Sequence, residues 1–296
     1  MKNHTDMLIF HMAICAGMGI KMNQKRILYE DKDIIVCHKA AGIATQTSRI
    51  GQADMVSEIA NYLSRKAKDN AGRQSDGMVH RGRDGGRKEG STPYVGVVHR
   101  LDQPVEGILV LAKNRQAAAG LSRQIAEEQT EKYYYAVVCG KNFLKERDLE
   151  DYLVKDSRTN MSCIVPPERK GAKRAFLHYE ILGEQTVEAE AGEEERAGSI
   201  ALARIRLDTG RHHQIRVQMS HAGMSLLGDY KYADAQTVRL SKQMQIKEIA
   251  LCAYRLSFMH PTKGERMTFM IRPEGKAFQK EGFLEKVTAA ANRIEV

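Results

Sequence analysis

Short apolar segments rich in β-branched and aromatic residues recur along the chain and outnumber the segments with helical spacing. The predicted strands lie within 27–47, around an acidic turn, and at 133–140, 176–182, 199–207, 249–261 and 266–271. The predicted helices lie at 53–68, 115–129, 211–223, 235–245 and 276–293. Because strands and helices do not alternate regularly, the sequence predicts an α+β fold with a mixed, largely antiparallel sheet and flanking helices.

Neither an internal repeat nor a Pro-rich linker divides the 296 residues, so one large domain is expected over 26–296. Residues 1–25 are expected to form a poorly ordered N-terminal extension, and Met22 is an alternative start of the protein. Two polar, charged segments near 69–91 and 184–198 are expected to be flexible insertions.

The formal net charge of +9 favours a polyanionic partner, because lysines and arginines displace counterions from phosphates. A basic surface without such a partner is the alternative. The apolar segment 7–20 is too short to span a bilayer and lacks a good cleavage site, and the five cysteines contain no C-x-x-C pair. These features predict a soluble cytoplasmic protein with reduced thiols.

An acidic residue, Asp102, stands within the sequence His-Arg-Leu-Asp at 99–102, just before Gly107 and an apolar run that is interpreted as a buried strand. Burying a carboxylate without a partner is costly, so Asp102 is either paired structurally or held ready for chemistry.

Several kinds of active site lack their signatures. The candidate metal ligands His212, His213, His221 and Asp229 show no recognised ligand spacing, and adjacent histidines on a helix would diverge by about 100°. Residues 207–213 lack the pattern of a phosphate-binding loop, and no G-x-S-x-G motif is present.

What remains is Asp102, the tyrosines at 133–135, and a basic segment with Arg211 and Arg216. A carboxylate nucleophile, an arginine that keeps it ionised and a ring that stacks on a base fit nucleotide chemistry. A buried Asp–Arg ion pair with tyrosines packed in the core is the alternative, and these residues alone do not decide between the two.

Five ordered blocks of sequence resemble the RluA-type pseudouridine synthase family. The first and last blocks are 28–42 and 256–269, and the catalytic motif of the family resembles residues 99–102 with Gly107. The Lys-x-Tyr-x-Ala strand of the family resembles Lys132, Tyr134 and Ala136, and its Thr-Gly-Arg-x-His-Gln-Ile-Arg segment resembles 209–216, followed by Gly223 and Gly228-Asp229.

The resemblance implies a catalytic domain with a central active-site cleft that isomerises uridine in rRNA or tRNA to pseudouridine, without metal or organic cofactor. Asp102 would be the nucleophile, Tyr134 would pack on the uracil and help to move a proton, and Arg216 would pair with Asp102. Arg100 would take the place of the flipped-out nucleotide. The other residues expected to contact substrate are His99, Arg211, His213 and Gln214. No membrane and no obligate protein partner are expected, and the enzyme is expected to be a monomer.

The chain departs from the family pattern at several positions. Val105-Glu106 stands where Thr-Ser is usual, Ala40 and Ser225 stand where Pro is usual, and Gln218 stands where His is usual. Glu106 adds a second carboxylate near Asp102 and would raise the pKa of Asp102 if it pointed inward, so we expect it to face away.

Two other functions are consistent with parts of the pattern. An RNA-binding protein could retain the fold without catalysis, although it would not need Asp102, Tyr134 and Arg216 together. A retaining glycoside or nucleoside hydrolase would require a second acid/base carboxylate, for which Glu106 is the nearby candidate.

Overall fold

The computed structural model describes residues 7–10, 26–47, 51–74, 92–187 and 198–279. These residues form one 13-stranded sheet flanked by five helices. The strands are β1 Met7–Phe10, β2 Ile27–Glu30, β3 Ile34–Lys39, β4 Gly96–Val97, β5 Glu106–Ala112, β6 Glu131–Gly140, β7 Glu146–Asp156, β8 Met161–Ile164, β9 Lys173–Val187, β10 Gly198–Leu207, β11 Ser225–Leu226, β12 Leu251–Met259 and β13 Arg266–Met270. The helices are α1 Met55–Gln74, α2 Arg115–Ala126, α3 Gln214–His221, α4 Ala235–Gln243 and α5 Lys276–Gln279.

The main path of the sheet runs β2-β3-β5-β12-β6-β10-β9-β7-β8. Only the pairs β5–β12 and β1–β13 are parallel among the described strands. The mixed, largely antiparallel α+β prediction is therefore confirmed. β5 and β12 are far apart in sequence but adjacent in the sheet, and their pairing brings the segment after Asp102 to the middle of the molecule.

Alternation along β6 separates two hydrophobic clusters. Val137 and Cys139 belong to the cluster that includes Ala117 of α2 and Leu240 of α4. Tyr134, Ala136 and Val138 belong to the other cluster, which includes Ile215 and Met219 of α3. Successive side chains of a strand point to opposite faces, so Tyr134 lies on the α3 face of the sheet.

The same alternation along β6 directs the three consecutive tyrosines at 133–135 to different faces of the sheet. Tyr135 packs against the first cluster and stacks on Tyr254 with ring centroids 3.8 Å apart. Tyr133 also packs against that cluster, and the Arg255 guanidinium lies 5.0 Å from the centroid of its ring. Of the three tyrosines, Tyr134 alone is a buried member of a cluster, the second one, whereas its two neighbours are only partly buried against the first.

Several predicted boundaries were wrong. α1 continues to Gln74, so residues 69–74 of the predicted flexible insertion are helical, and β9 extends to Val187, which makes 184–187 part of a strand. Residues 75–91 and 188–197 lie outside the described residues. α3 begins at Gln214 rather than at 211, because His213 has a left-handed backbone with φ 54°. β7 and β8 were not predicted at all.

The predicted N-terminal extension is described only over Met7–Phe10, which pairs in parallel with β13. The rest of 1–25 and the end of the predicted 276–293 helix lie outside the described residues. The single domain over 26–296 therefore stays a prediction. No helix in the described ranges is long and apolar enough to cross a membrane.

Gly107 allows β5 to approach β12. Its φ is +146°, and a Cβ added there would lie 2.4 Å from the Ala253 Cβ and 2.7 Å from the Ala253 nitrogen. A side chain at position 107 would therefore push apart the two strands that bring the segment after Asp102 into the sheet.

We predict that Gly107→Ala lowers the free energy of unfolding by about 3 kcal/mol, because strand separation adds to backbone strain. Gly171→Ala is the control, since Gly171 also has a positive φ, +86°, but an added Cβ would meet nothing within 4 Å. Backbone strain alone should cost about 1 kcal/mol there. Urea unfolding measures both variants, and equal losses would contradict the strand-contact explanation.

Candidate active site

All eight predicted site residues line one cavity of about 480 Å³. They come from the 99–102 segment, from β6, and from the loop and helix at 211–216. The remaining walls are mostly apolar and include Val98, Val110, Leu251 and Phe258. A cavity with apolar walls and a few convergent polar groups has the general character of a small-molecule binding site.

A buried array of charges fixes Arg216 beside Asp102. The Arg216 guanidinium makes two 2.7 Å hydrogen bonds to Asp229, from Nε and Nη2. Its Nη1 lies 3.5 Å from the Asp102 Oδ2. Asp229 and Arg216 are almost fully buried, whereas 28% of the Asp102 side chain is exposed. Arg216 is thus held by Asp229 and presents its remaining nitrogen to Asp102.

The expected Asp102–Arg216 pair is therefore only the weaker of two contacts. The stronger partner, Asp229, was missed as a pairing group, although Gly228-Asp229 belongs to the resembling sequence blocks. Burial raises the pKa of Asp102, and the positive charges of Arg216 and Lys39 oppose that increase. These two cations are what favours the ionised form of Asp102 against the cost of burial.

A hydrogen-bonded chain favours one tautomer of His213. The backbone N–H of Ser162 donates to the Tyr232 hydroxyl at 2.8 Å, and that hydroxyl lies 2.8 Å from the His213 Nδ1. The tyrosine proton is satisfied when it is donated to Nδ1, which leaves the His213 proton on Nε2. Nε2 lies 3.6 Å from the Asp102 Oδ2, so the neutral ring presents its N–H to the carboxylate. Tyr232 also had no sequence signal.

The segment that carries Asp102 is held by buried polar contacts. The Lys39 ammonium donates to the carbonyls of Ala40, Ile43 and Gln103, the last of which follows Asp102. The Thr45 hydroxyl exchanges hydrogen bonds with both the carbonyl and the N–H of Leu101. Burial lowers the pKa of Lys39 to about 8, while the Asp102 and Glu106 carboxylates oppose that change. The backbone on both sides of Asp102 is thereby fixed.

Glu106 is hydrogen-bonded to a part of the fold away from Asp102. Its carboxylate accepts hydrogen bonds from the N–H groups of Glu274 and Gly275, at distances of 3.0 to 3.2 Å. The thiol of Cys252 also hydrogen-bonds to it. Glu106 therefore faces the 274–275 segment, as expected, and does not form an acid/base pair with Asp102. The hydrolase alternative loses its candidate second carboxylate.

The other predicted substrate contacts divide into free and engaged groups. Arg100 is exposed, and the Nε of Arg211 donates to the Arg174 carbonyl at 2.8 Å. The His99 Nε2 accepts the Val110 N–H, and the Gln214 amide makes four hydrogen bonds within the protein. His99 and Gln214 therefore shape the cavity through the backbone around it, whereas Arg100 is available at its rim.

The residues weighed as metal ligands have protein partners. His212 and His213 precede α3 rather than lying on it, and their rings stack at 3.7 Å instead of diverging. The His212 Nδ1 lies 2.8 Å from the Ser162 hydroxyl, the His221 ring lies 3.3 Å from Asp151, and Asp229 binds Arg216. Within the described ranges, the groups with metal-like spacing are Asp31 with Asp33 and His260, and His38 with Glu106 and Glu274. Both lie outside the cavity.

Comparison with known proteins gives consistent matches. The family model described as RNA pseudouridylate synthase matches residues 33–221. Ribosomal large subunit pseudouridine synthase D of Zymomonas mobilis is 30% identical over 82% of this chain and 67% of its own length. tRNA pseudouridine synthase C of Yersinia pestis is 27% identical over 83% of this chain and 85% of its own.

A solved structure has the same fold. The human RNA pseudouridylate synthase domain containing 4 aligns with a TM-score of 0.60 and 20% sequence identity, over 90% of this chain and 92% of that chain. This likeness supports the fold independently of the sequence matches.

We predict that Asp229→Ala lowers the free energy of unfolding by about 3 to 5 kcal/mol, because it leaves the Arg216 guanidinium buried without its main partner. Glu150→Ala is the control. Glu150 also makes a two-fold contact with an arginine, Arg174, but both side chains are about half exposed, so little change is expected. Urea unfolding measures both, and a small effect at Asp229 would refute the anchoring role.

Histidines whose pKa is lowered in the folded protein, His99, His212 and His213 among them, make stability depend on pH. Burial lowers the pKa of His99 to about 4 and that of His213 to about 3. The unfolded chain binds these protons near pH 6.5 but the folded chain does not, so stability is complete above pH 6.5 and falls as the pH is lowered.

We predict a loss of about 2 kcal/mol per histidine between pH 7 and pH 5 in urea unfolding experiments. His99→Gln should reduce this pH-dependent loss of unfolding free energy by the amount that one histidine contributes. Leu144→Ala serves as the control, since Leu144 is exposed and does not titrate, and it should leave the pH dependence unchanged. A His99→Gln profile parallel to that of the wild-type protein would contradict the burial argument.

Proposed function

Because the chain belongs to the RNA pseudouridylate synthase family, and is thus an RNA pseudouridine synthase, we propose that Asp102 is its nucleophile and that its substrate is a uridine in rRNA or tRNA. The observation that carries this proposal is the single carboxylate of Asp102, which faces the cavity while Arg216 and His213 hold one of its oxygens. A carboxylate with a restricted orientation and a free oxygen suits covalent catalysis.

The reaction itself is an isomerisation in which no atom is lost. The bond between the ribose C1′ and the uracil N1 breaks, a bond between C1′ and C5 forms, and the C5 proton leaves while N1 gains one. Asp102 serves this sequence by attacking C1′, by assisting glycal formation or by adding to the uracil ring. Because the conversion is redox-neutral, we propose that it proceeds without a metal or organic cofactor.

Tyr134 and Arg216 have distinct proposed roles. Tyr134 lies on the cavity face of β6, where its ring can pack against the uracil. Burial and the nearby Asp102 carboxylate raise the pKa of the Tyr134 hydroxyl, so it remains a proton donor at neutral pH. Arg216 is locked by Asp229 and orients Asp102, which restricts the carboxylate before substrate arrives.

The rim of the cavity is proposed to contact the RNA. Arg100 is exposed beside Asp102 and would occupy the space left by the flipped-out nucleotide, which offsets part of the unstacking cost of a few kcal/mol. Arg211 adds a second cation at the cavity wall, and His99, His213 and Gln214 position the surrounding backbone and the carboxylate. We also propose that the enzyme acts in the cytoplasm as a monomer, without an obligate protein partner.

Ribosomal RNA and transfer RNA are both candidate substrates. Two relatives of similar identity carry names that specify a ribosomal subunit and tRNA, respectively. Both classes are therefore tested together, by incubating the purified protein with total RNA from a strain that lacks it and mapping pseudouridine at base resolution.

We predict that the wild-type protein forms new pseudouridine sites in this assay and that Asp102→Asn forms none, because the amide is not a nucleophile. Asn is nearly isosteric with Asp, and the melting temperature of the variant checks that the fold is retained. Conversion by Asp102→Asn at the wild-type rate would exclude the nucleophile. Absence of conversion by the wild-type protein, with RNA still bound, would instead favour a binding protein without catalysis.

A further inference from the structure

The cavity of about 480 Å³ that holds the eight site residues is called the catalytic cavity here. A second cavity of about 830 Å³ meets it at Asp102. We call this second cavity the flanking cavity. Its wall includes Arg100, His213 and Arg216, which also line the catalytic cavity. Beyond these shared residues, its lining is mostly polar and includes Gln46 and Thr47. The lining residues on which the proposal rests are Tyr230, Lys231 and Lys247.

The aromatic ring of Tyr230 is presented to this cavity. With 51% of its surface exposed, Tyr230 is one of three large hydrophobic side chains that are exposed in the described part of the chain. Its hydroxyl donates to the Ile246 carbonyl at 3.2 Å, so the edge of the ring is anchored while much of the ring stays accessible. An anchored and accessible ring is suited to stacking against a planar partner.

Tyr230 is also placed firmly with respect to the catalytic carboxylate. It directly follows Asp229, whose Oδ1 accepts hydrogen bonds from Arg216 and from the Lys231 N–H. The two backbone positions beside the ring are therefore connected to the buried guanidinium that contacts Asp102. A base stacked on Tyr230 would lie at a fixed position relative to the uracil in the catalytic cavity.

Positively charged side chains line the flanking cavity together with the Tyr230 ring. Lys231 and Lys247 are both exposed and line the flanking cavity, and Arg100 lies where the two cavities join. The two carboxylates in the lining, Asp102 and Asp229, are both in contact with Arg216. The remaining positive charge favours a phosphate next to the stacked base.

We propose that the flanking cavity binds the nucleotide adjacent to the target uridine in the RNA strand. Its base stacks on Tyr230 and its phosphate is held by Lys231 and Lys247. The stacking selects an unpaired neighbour, because a base within a duplex does not offer a free face. This inference rests on the proposed function, since it takes the uridine in the catalytic cavity as given.

Fluorescence tests the stacking directly. An RNA fragment around the mapped uridine is synthesised with 2-aminopurine either immediately 5′ or immediately 3′ of that uridine, and it is bound to Asp102→Asn protein so that no turnover occurs. We expect quenching of the probe at one of the two positions. Adding Tyr230→Ala should abolish the quenching, whereas adding Tyr230→Phe should retain it, because Phe keeps the ring face.

Kinetics with intact Asp102 provide the second readout. Tyr230→Ala should raise KM about tenfold with kcat within about twofold of the wild-type value, because stacking contributes to binding before the chemical step. Lys247→Gln should raise KM and reduce the slope of log KM against log salt concentration by about 0.7. Leu144→Ala is the control, since Leu144 is 57% exposed and lines neither cavity.

The outcomes separate this inference from the proposed function. Probe fluorescence that Tyr230→Ala leaves unchanged at both positions would overturn the stacking subsite, as would a Tyr230→Ala enzyme with unchanged KM. Either result leaves the nucleophile assignment intact while the wild-type protein still forms pseudouridine. Absence of pseudouridine formation by the wild-type protein would instead exclude the proposed function, on which the stacking subsite rests.

Discussion

The buried guanidinium of Arg216 is the interaction on which the arrangement of the active site depends. Its charge must be compensated inside the protein, and Asp229 does so with two short hydrogen bonds. This leaves one nitrogen for Asp102 and one ring contact with Tyr232, whose centroid lies 5.0 Å from the guanidinium carbon. Tyr232 also bonds to His213, so Arg216 is linked to the second group that lies near the Asp102 Oδ2.

This arrangement separates the ion pair that stabilises Arg216 from the contacts that reach Asp102, the proposed nucleophile. If Asp102 were the main partner of Arg216, the best geometry of the pair would direct both oxygens of the carboxylate to the arginine. Asp229 takes that position instead, and Asp102 is approached at only one oxygen, by Nη1 at 3.5 Å and by the His213 ring at 3.6 Å. The fold thus keeps a carboxylate near two donors without fully satisfying it, which suits a group that must form a new bond.

The sequence was informative where burial creates a pattern and uninformative where it does not. β5 and β12 are almost wholly buried and read as apolar runs, so they were recognised. β7 is largely charged, with only Leu149 and Leu153 buried, and β7 and β8 lie at one end of the sheet, where solvent replaces a second apolar face. The polar end of α1 was assigned to a loop for the same reason, because no apolar periodicity marks it.

The sequence predicted which residues line the cavity, but it did not predict which of the charged side chains bind each other. All eight expected residues reached one cavity, because ordered motif blocks carry residue identity along the chain. Which carboxylate binds Arg216 is decided by the sheet and by the turn after β11, so Asp229 and Tyr232 could not be assigned from spacing. Glu106 shows the same limit, since its partners Glu274 and Gly275 lie more than 160 residues away.

The position of β12 in the sheet has a consequence for how the protein becomes active during its synthesis. β12 lies between β5 and β6, yet it is made about 110 residues after β6. A ribosome-bound chain that already contains Asp102, Tyr134 and Arg216 still lacks the strand that joins their supports. Catalytic competence should therefore arise late and abruptly during translation, and a chain that stops before residue 251 would carry all three proposed catalytic residues without a working enzyme.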